Sequence, residues 1–130
     1  TPLFWDSPYE DTTIEAGYEM ALELFRQPRY YTAIMASTDT LALGVLQAAE
    51  ELGIAIPGDI SLLGFDNIRY AALPKINLST IEQPKQAMAT VAMDMLLETI
   101  ASDYEAYSHR ILIPTLVRRS SCGPVSQPER

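Results

Sequence analysis

The sequence is poor in the residues that build metal and redox sites. It holds one cysteine, Cys122, and one histidine, His109. No internal disulfide can form, and a zinc site needs more soft ligands than these two. Lone Cys122 suits a reducing compartment such as the cytoplasm without requiring one. Basic residues are also scarce: nine Lys plus Arg stand against seventeen Asp plus Glu, a formal charge of −8. A polyanion such as DNA is repelled by that average field, and Arg118-Arg119 is too short to form a basic stripe. If the parent protein reads DNA, another segment does so. No apolar run approaches the roughly 20 residues of a membrane helix. The opening Thr1-Pro2-Leu3-Phe4-Trp5-Asp6 has neither a basic nor a hydrophobic export region. It also lacks an initiator Met, so the chain is read as part of something longer. Glycines stand singly and form no phosphate-cradling loop. No His, Lys or Cys partner is recognisable for a nucleophilic triad, and catalysis and cofactor binding are not expected.

What is present is an alternation of helical and buried-strand patterns. Thr12 and Glu15 have capping-box spacing. Ile14, Tyr18, Ala21, Leu22 and Phe25 then recur at helical spacing, until Pro28. Residues 32–36 (Thr-Ala-Ile-Met-Ala) form a short apolar run without alternation, as in strands buried on both faces. Ser37-Thr38-Asp39 offers helix-capping chemistry, followed by a stripe of Leu41, Val45, Ala48, Ala49 and Leu52. Gly53 is placed to stop that helix. Residues 60–64 read as a second buried strand, 65–77 as a loop and 78–81 as a short extended piece. Pro84 opens a third helix, whose buried face is expected at Met88, Val91, Ala92, Met95 and Thr99. Residues 110–113 and 116–117 read as two short strands broken by Pro114. From Ser120 onward the composition predicts a loose tail, with 122–130 outside the domain. The order predicts an α/β fold, a parallel sheet flanked by helices with right-handed crossovers.

In such sheets ligands bind beyond the carboxyl ends of the strands. Two strands deliver an acid to that edge, Asp39 and Asp66. Asp39 reads first as a helix-capping carboxylate. Asp66 follows Gly64-Phe65 directly with no helix to cap, so it is placed first as a ligand acid and second as a turn former. An ionised carboxylate accepts strongly from sugar hydroxyls or base N–H groups. Met35 belongs either to the core or to a pocket wall, and Thr38 either to the cap or to a polar contact. Trp5 is either a stacking platform for a ligand or a packing residue. His109 reads as solvated surface. Leu43 falls on the polar side of its helix, among Gln47 and Glu50, where an exposed leucine is either incidental or a subunit contact.

The segments Ala33-Ile34-Met35-Ala36-Ser37-Thr38-Asp39, Gly53 to Asn67 and Leu78-Ser79-Thr80-Ile81-Glu82-Gln83-Pro84 together resemble the effector domain of LacI/GalR-type regulators. The likeness runs from about Asp11 to Ser121. It implies part of a periplasmic-binding-protein-like fold, in which two α/β subdomains clasp a small effector: a sugar, a nucleoside or a purine. Members are typically cytoplasmic homodimers, and they bind operator DNA through an N-terminal helix-turn-helix that this sequence lacks. By this resemblance Asp66 is effector-binding, Met35 and Thr38 line the pocket, and Leu43 lies on the dimer-forming helix. The helix 84–101 and a strand at 110–113 belong to the other subdomain, so exposed apolar surface or reorganised packing is expected there. Thr12 stands where many members carry a pocket aromatic, and Lys75-Ile76-Asn77 replaces the usual paired prolines. A solute-binding protein of a transport system, with the same fold, is the alternative.

Overall fold

The computed structural model describes residues 11–28, 30–101 and 109–124. The first helix, α1, spans Ile14–Phe25. Its cap is Thr13, whose hydroxyl accepts from the Ala16 amide at 3.1 Å, so the start lies one residue beyond the expected Thr12 box. The short strand β1 (Ala33–Met35) leads into α2 (Asp39–Glu51), and β2 (Ser61–Phe65) follows. A single 3-10 turn at Arg69–Ala72 precedes β3 (Ser79–Glu82). Helix α3 (Lys85–Ala101) and strand β4 (Thr115–Val117) complete the described elements.

The sheet order is β1-β2-β3-β4. The first three strands are parallel, with Met35 opposite Leu63 and Phe65 opposite Ile81. β4 runs antiparallel to β3, making the sheet mixed at that edge. Residues 109–114 form no strand, against the expected strand at 110–113, because no neighbouring strand among the described residues offers them a ladder.

Helices α1 and α2 cross with their backbones almost touching. A Cβ on Gly17 would sit 2.8 Å from the Leu41 Cα, and one on Gly44 would sit 2.7 Å from the Gly17 carbonyl carbon. The small pair lets Ala21, Ala42, Val45 and Ala48 pack with Leu62, Ala71 and Leu78 into one core, with Tyr18, Leu22 and Phe25 against it. α2 ends in a full Schellman motif: the Ile54 amide bonds the Ala49 carbonyl, and the Gly53 amide bonds that of Glu50. Gly53 takes φ +67° there, as its position after the stripe predicted.

Two expectations of burial fail for one reason. β1 was expected to be covered on both faces, but Ala33 and Met35 are exposed and the strand forms an edge. No residue of α3 is buried; Met88 lies open, and Val91 and Met95 are only half-covered. Met93, Leu96, Leu97, Ile100, Ile111 and Ile113 are exposed as well. The apolar residues of α3 are spread around the helix rather than gathered on one face, and no other described element packs closely against it. The exposed apolar surface expected around this helix is therefore present.

The carboxyl-terminal segment is better held than its composition implied. Ser121 is buried; its hydroxyl accepts from the Ser79 amide at 2.7 Å and donates to the Leu62 carbonyl at 2.6 Å. The Gly123 amide bonds the Ser61 hydroxyl at 3.1 Å. Polar residues that looked like a loose tail instead stitch the starts of β2 and β3 together. The rest of the expected tail, 125–130, lies outside the described residues. No described helix is long and apolar enough to cross a membrane.

Candidate functional site

Parallel pairing of β1, β2 and β3 brings their carboxyl ends to one rim. The Ala36 amide bonds the Leu63 carbonyl, and the Asp66 amide bonds that of Ile81. Residues 37–39, 66–68 and 83–85 therefore leave the sheet on the same side, as the strand order had predicted for Asp39 and Asp66.

Asp66 sits on backbone that few side chains adopt: its φ is +109°, and Asn67 follows at +50°. Such conformations are unfavourable and persist only where the surroundings over-determine them. Here the partners are visible. The Gln83 side-chain amide donates to Asp66 Oδ1 at 2.7 Å, and the Lys85 ammonium, at the start of α3, donates to the Asp66 carbonyl. Among the described residues Asp66 Oδ2 takes no hydrogen bond. The carboxylate is half-buried, oriented through one oxygen and open through the other. That is suitable geometry for accepting from a hydroxyl or an N–H of a small polar molecule.

Asn67 is fixed from the far side. One Arg119 guanidinium nitrogen donates to Asn67 Oδ1 at 2.7 Å, and another donates to the Leu78 carbonyl at 2.6 Å. In sequence Arg119 was half of a dipeptide too short to matter as a charge. In three dimensions it clamps the turn. Gln83, Lys85 and Arg119 were absent from the expected site. Gln83-Pro84 had signalled only a helix start, and Arg119 reaches the rim only because β4 pairs with β3.

The other expected residues divide. Thr38, not Asp39, caps α2: its hydroxyl accepts from the Leu41 amide at 3.2 Å. Asp39 is the first helical residue, and its carboxylate turns away from the helix end into the sheet. Oδ2 accepts from the Ile68 amide at 2.9 Å and Oδ1 from the Thr80 hydroxyl at 2.6 Å. The capping assignment is corrected to a cross-link between α2, the 66–68 turn and β3. Met35 is 63% exposed, which removes the core alternative. Leu43 is half-exposed on α2. Trp5 lies outside the described residues. His109 is exposed, as expected of a solvated residue.

Around Gln83, the partner of Asp66, the surface is concave but open. Phe65, Gln83, Pro84, Met88, Arg110 and Leu112 line a depression of about 220 Å³. A larger one, about 720 Å³, runs from Gln83 and Lys85 along Thr90 to Thr115. Asp66, Met35 and Thr38 line neither depression. Among the described residues no three His, Cys, Asp or Glu side chains group to hold a metal.

Residues 6–122 match the model of the periplasmic binding protein-like domain. The chain belongs to that family. The HTH-type transcriptional repressor PurR of Escherichia coli O139:H28 is 37% identical over 107 residues, covering 82% of this chain and 31% of the repressor. A LacI transcriptional regulator from a Rhodococcus species superposes with a TM-score of 0.79 at 37% identity, over 87% of this chain and 41% of that one. A LacI family regulator from Enterococcus faecium, solved with bound ribose, gives 0.76 at 30% identity, over 88% and 42%. This periplasmic-binding-protein-like chain thus spans about a third of the curated relative and two-fifths of the solved ones. The resemblance to LacI-type effector domains, drawn from three sequence segments, is borne out, as is the partial α/β fold.

Proposed function

We propose that the chain supplies half of the effector-binding cleft of a bacterial transcription regulator. The observation that carries this reading is Asp66, held by Gln83 on a rare backbone conformation with one carboxylate oxygen open at the strand-end rim. Met35, exposed at the end of β1, and Thr38, which caps α2, are candidate pocket contacts on the same rim, and Trp5 is a candidate stacking platform. The effector is a small polar molecule: a sugar, nucleoside or purine. Ribose in the Enterococcus faecium regulator supports the sugar class. The role is non-catalytic and cytoplasmic, in keeping with relatives named as regulators. Those names also support a regulator over a transport solute-binding protein. The second subdomain, carrying α3 against its own sheet, would close the other side of the cleft, and a helix-turn-helix outside this sequence would bind the operator. Effector then shifts DNA affinity through its preference for one closure state.

Homodimerisation through the outward side of α2, including Leu43, belongs to the same proposal. Leu43→Asp in the full-length protein is expected to shift sedimentation from dimer to monomer; an unchanged dimer removes Leu43 from the interface. The effector reading is tested by calorimetric titration of the full-length protein with D-ribose, sucrose, inosine and hypoxanthine. Binding of one of these, weakened about tenfold or more by Asp66→Ala, is the expected result. Unchanged affinity in the variant takes Asp66 out of the site.

A further inference from the structure

The second aspartate of the rim, Asp39, is wholly buried and faces no ligand space. Its carboxylate receives the Ile68 amide directly, and the Thr80 hydroxyl that it binds receives the Asn67 amide at 3.3 Å. Two consecutive backbone amides are thus tied to one carboxylate, one of them through a single hydroxyl. They follow Asp66 immediately, where the chain departs from ordinary backbone angles. Space for the carboxylate exists because residue 64 has no side chain. A Cβ there would overlap Asp39 Oδ1 and lie 3.2 Å from its Cγ and 3.0 Å from Leu78 Cδ2. Gly64 thus precedes Phe65-Asp66 for a spatial reason that originates in α2.

We propose that Asp39 is a positioning residue for the Asp66 site. Through Thr80 and the Ile68 amide it imposes the turn that aims the Asp66 carboxylate, and it thereby ties ligand affinity to the place of α2's first turn. The proposal rests on the ligand role of Asp66. A displacement of α2, from a subunit contact or from domain closure, reaches the site by this cross-link without any ligand touching the helix.

The test uses the full-length protein and variants that separate positioning from general stability. Thr80→Val keeps shape and removes the hydroxyl, whereas Thr80→Ser restores it. Asp39→Asn keeps size and one acceptor oxygen but no charge. Ser121→Ala is the stability control: it breaks buried hydrogen bonds at the opposite, amino-terminal ends of β2 and β3. Amide hydrogen exchange at Asn67 and Ile68 is read without ligand, and calorimetric affinity is read with D-ribose, sucrose, inosine and hypoxanthine. Thr80→Val is expected to speed exchange at both amides and weaken binding about tenfold, with Thr80→Ser near wild type. Asp39→Asn should fall between them; if it fails to fold, the Thr80 pair carries the result. Ser121→Ala should lower the melting temperature and leave affinity unchanged. Equal affinity in Thr80→Val and wild type overturns the proposal, as does a Ser121→Ala loss of binding as large as that of Thr80→Val. If none of the four compounds binds wild type, the ligand reading fails for them and exchange decides alone: unchanged protection at Asn67 and Ile68 in Thr80→Val refutes the positioning, and faster exchange upholds it.

Discussion

Gly44→Ala is expected to destabilise the protein although it improves helix propensity. Alanine in a helix interior is worth about 1 kcal/mol over glycine. Against that, the added methyl would lie 2.7 Å from the Gly17 carbonyl carbon and closer still to the Ile14 carbonyl oxygen and the Tyr18 amide nitrogen. Carbon atoms rest at about 3.5–4.0 Å, so α1 and α2 must separate by on the order of 1 Å. All three neighbours are backbone, and no rotamer change can relieve the overlap. Overpacking of this kind costs about 1–3 kcal/mol, and rigid neighbours place it at the upper end. The net loss is then about 2 kcal/mol, a fall in melting temperature on the order of 5–10 °C for a domain of this size. Separation also loosens the layer formed by Ala21, Ala42 and Ala48. Calorimetry or thermal circular dichroism reads the shift directly. A melting temperature equal to or above wild type would mean that propensity wins and that the helices do not touch at this position.

Other outcomes follow from single contacts. Ser121→Ala leaves the buried Ser79 amide without its partner and takes one of two donors from the Leu62 carbonyl, which keeps the Cys122 thiol at 3.1 Å; it should cost about 1–2 kcal/mol in denaturant unfolding. Gly53→Ala meets no neighbour but must hold φ +67°, and should lose about 1 kcal/mol in the same assay. The Tyr18 hydroxyl donates to Glu51 at 2.5 Å on the α1–α2 surface, and that hydrogen bond raises the Tyr18 pKa above its usual 10.0. Because the folded value is the higher one, the bond's contribution is intact below the ordinary tyrosine pKa and is lost as pH climbs through the folded value. Ultraviolet titration should find phenolate forming at lower pH in Glu51→Gln than in wild type; no difference would contradict the assignment. The uncovered face of α3, with Leu96, Leu97 and Ile100, should make the 130-residue chain bind a 1-anilinonaphthalene-type dye, and failure to bind would show that the face is covered.

Local pattern revealed the three parallel strands, the three helices and the common rim, because parallel strands in sequence order must open their following loops on one side; the strand expected at 110–113 did not form. Asp66 stood out since Gly64-Phe65-Asp66 ends a strand with no helix to cap. The role of Asp39 was hidden for the opposite reason: a capping explanation lay ready beside it. Its true partner, Thr80, is 41 residues away and is met only once the β2–β3 register is known. Arg119 depends in the same way on β4 pairing with β3. For α3 the apolar positions were legible but not what covers them, since they lie around the whole helix and select no single face. Ser121 and Gly123 were misread because composition alone does not distinguish serine hydroxyls facing water from those bonded to strand ends.

A crystal structure of the full-length protein with a bound effector is the decisive experiment for the role of Asp66. A ligand hydroxyl or N–H is expected within about 2.7–3.2 Å of the Asp66 carboxylate, with Gln83 still bonded to its other oxygen. A ligand seated elsewhere, with the Asp66 carboxylate turned to solvent, would contradict that role.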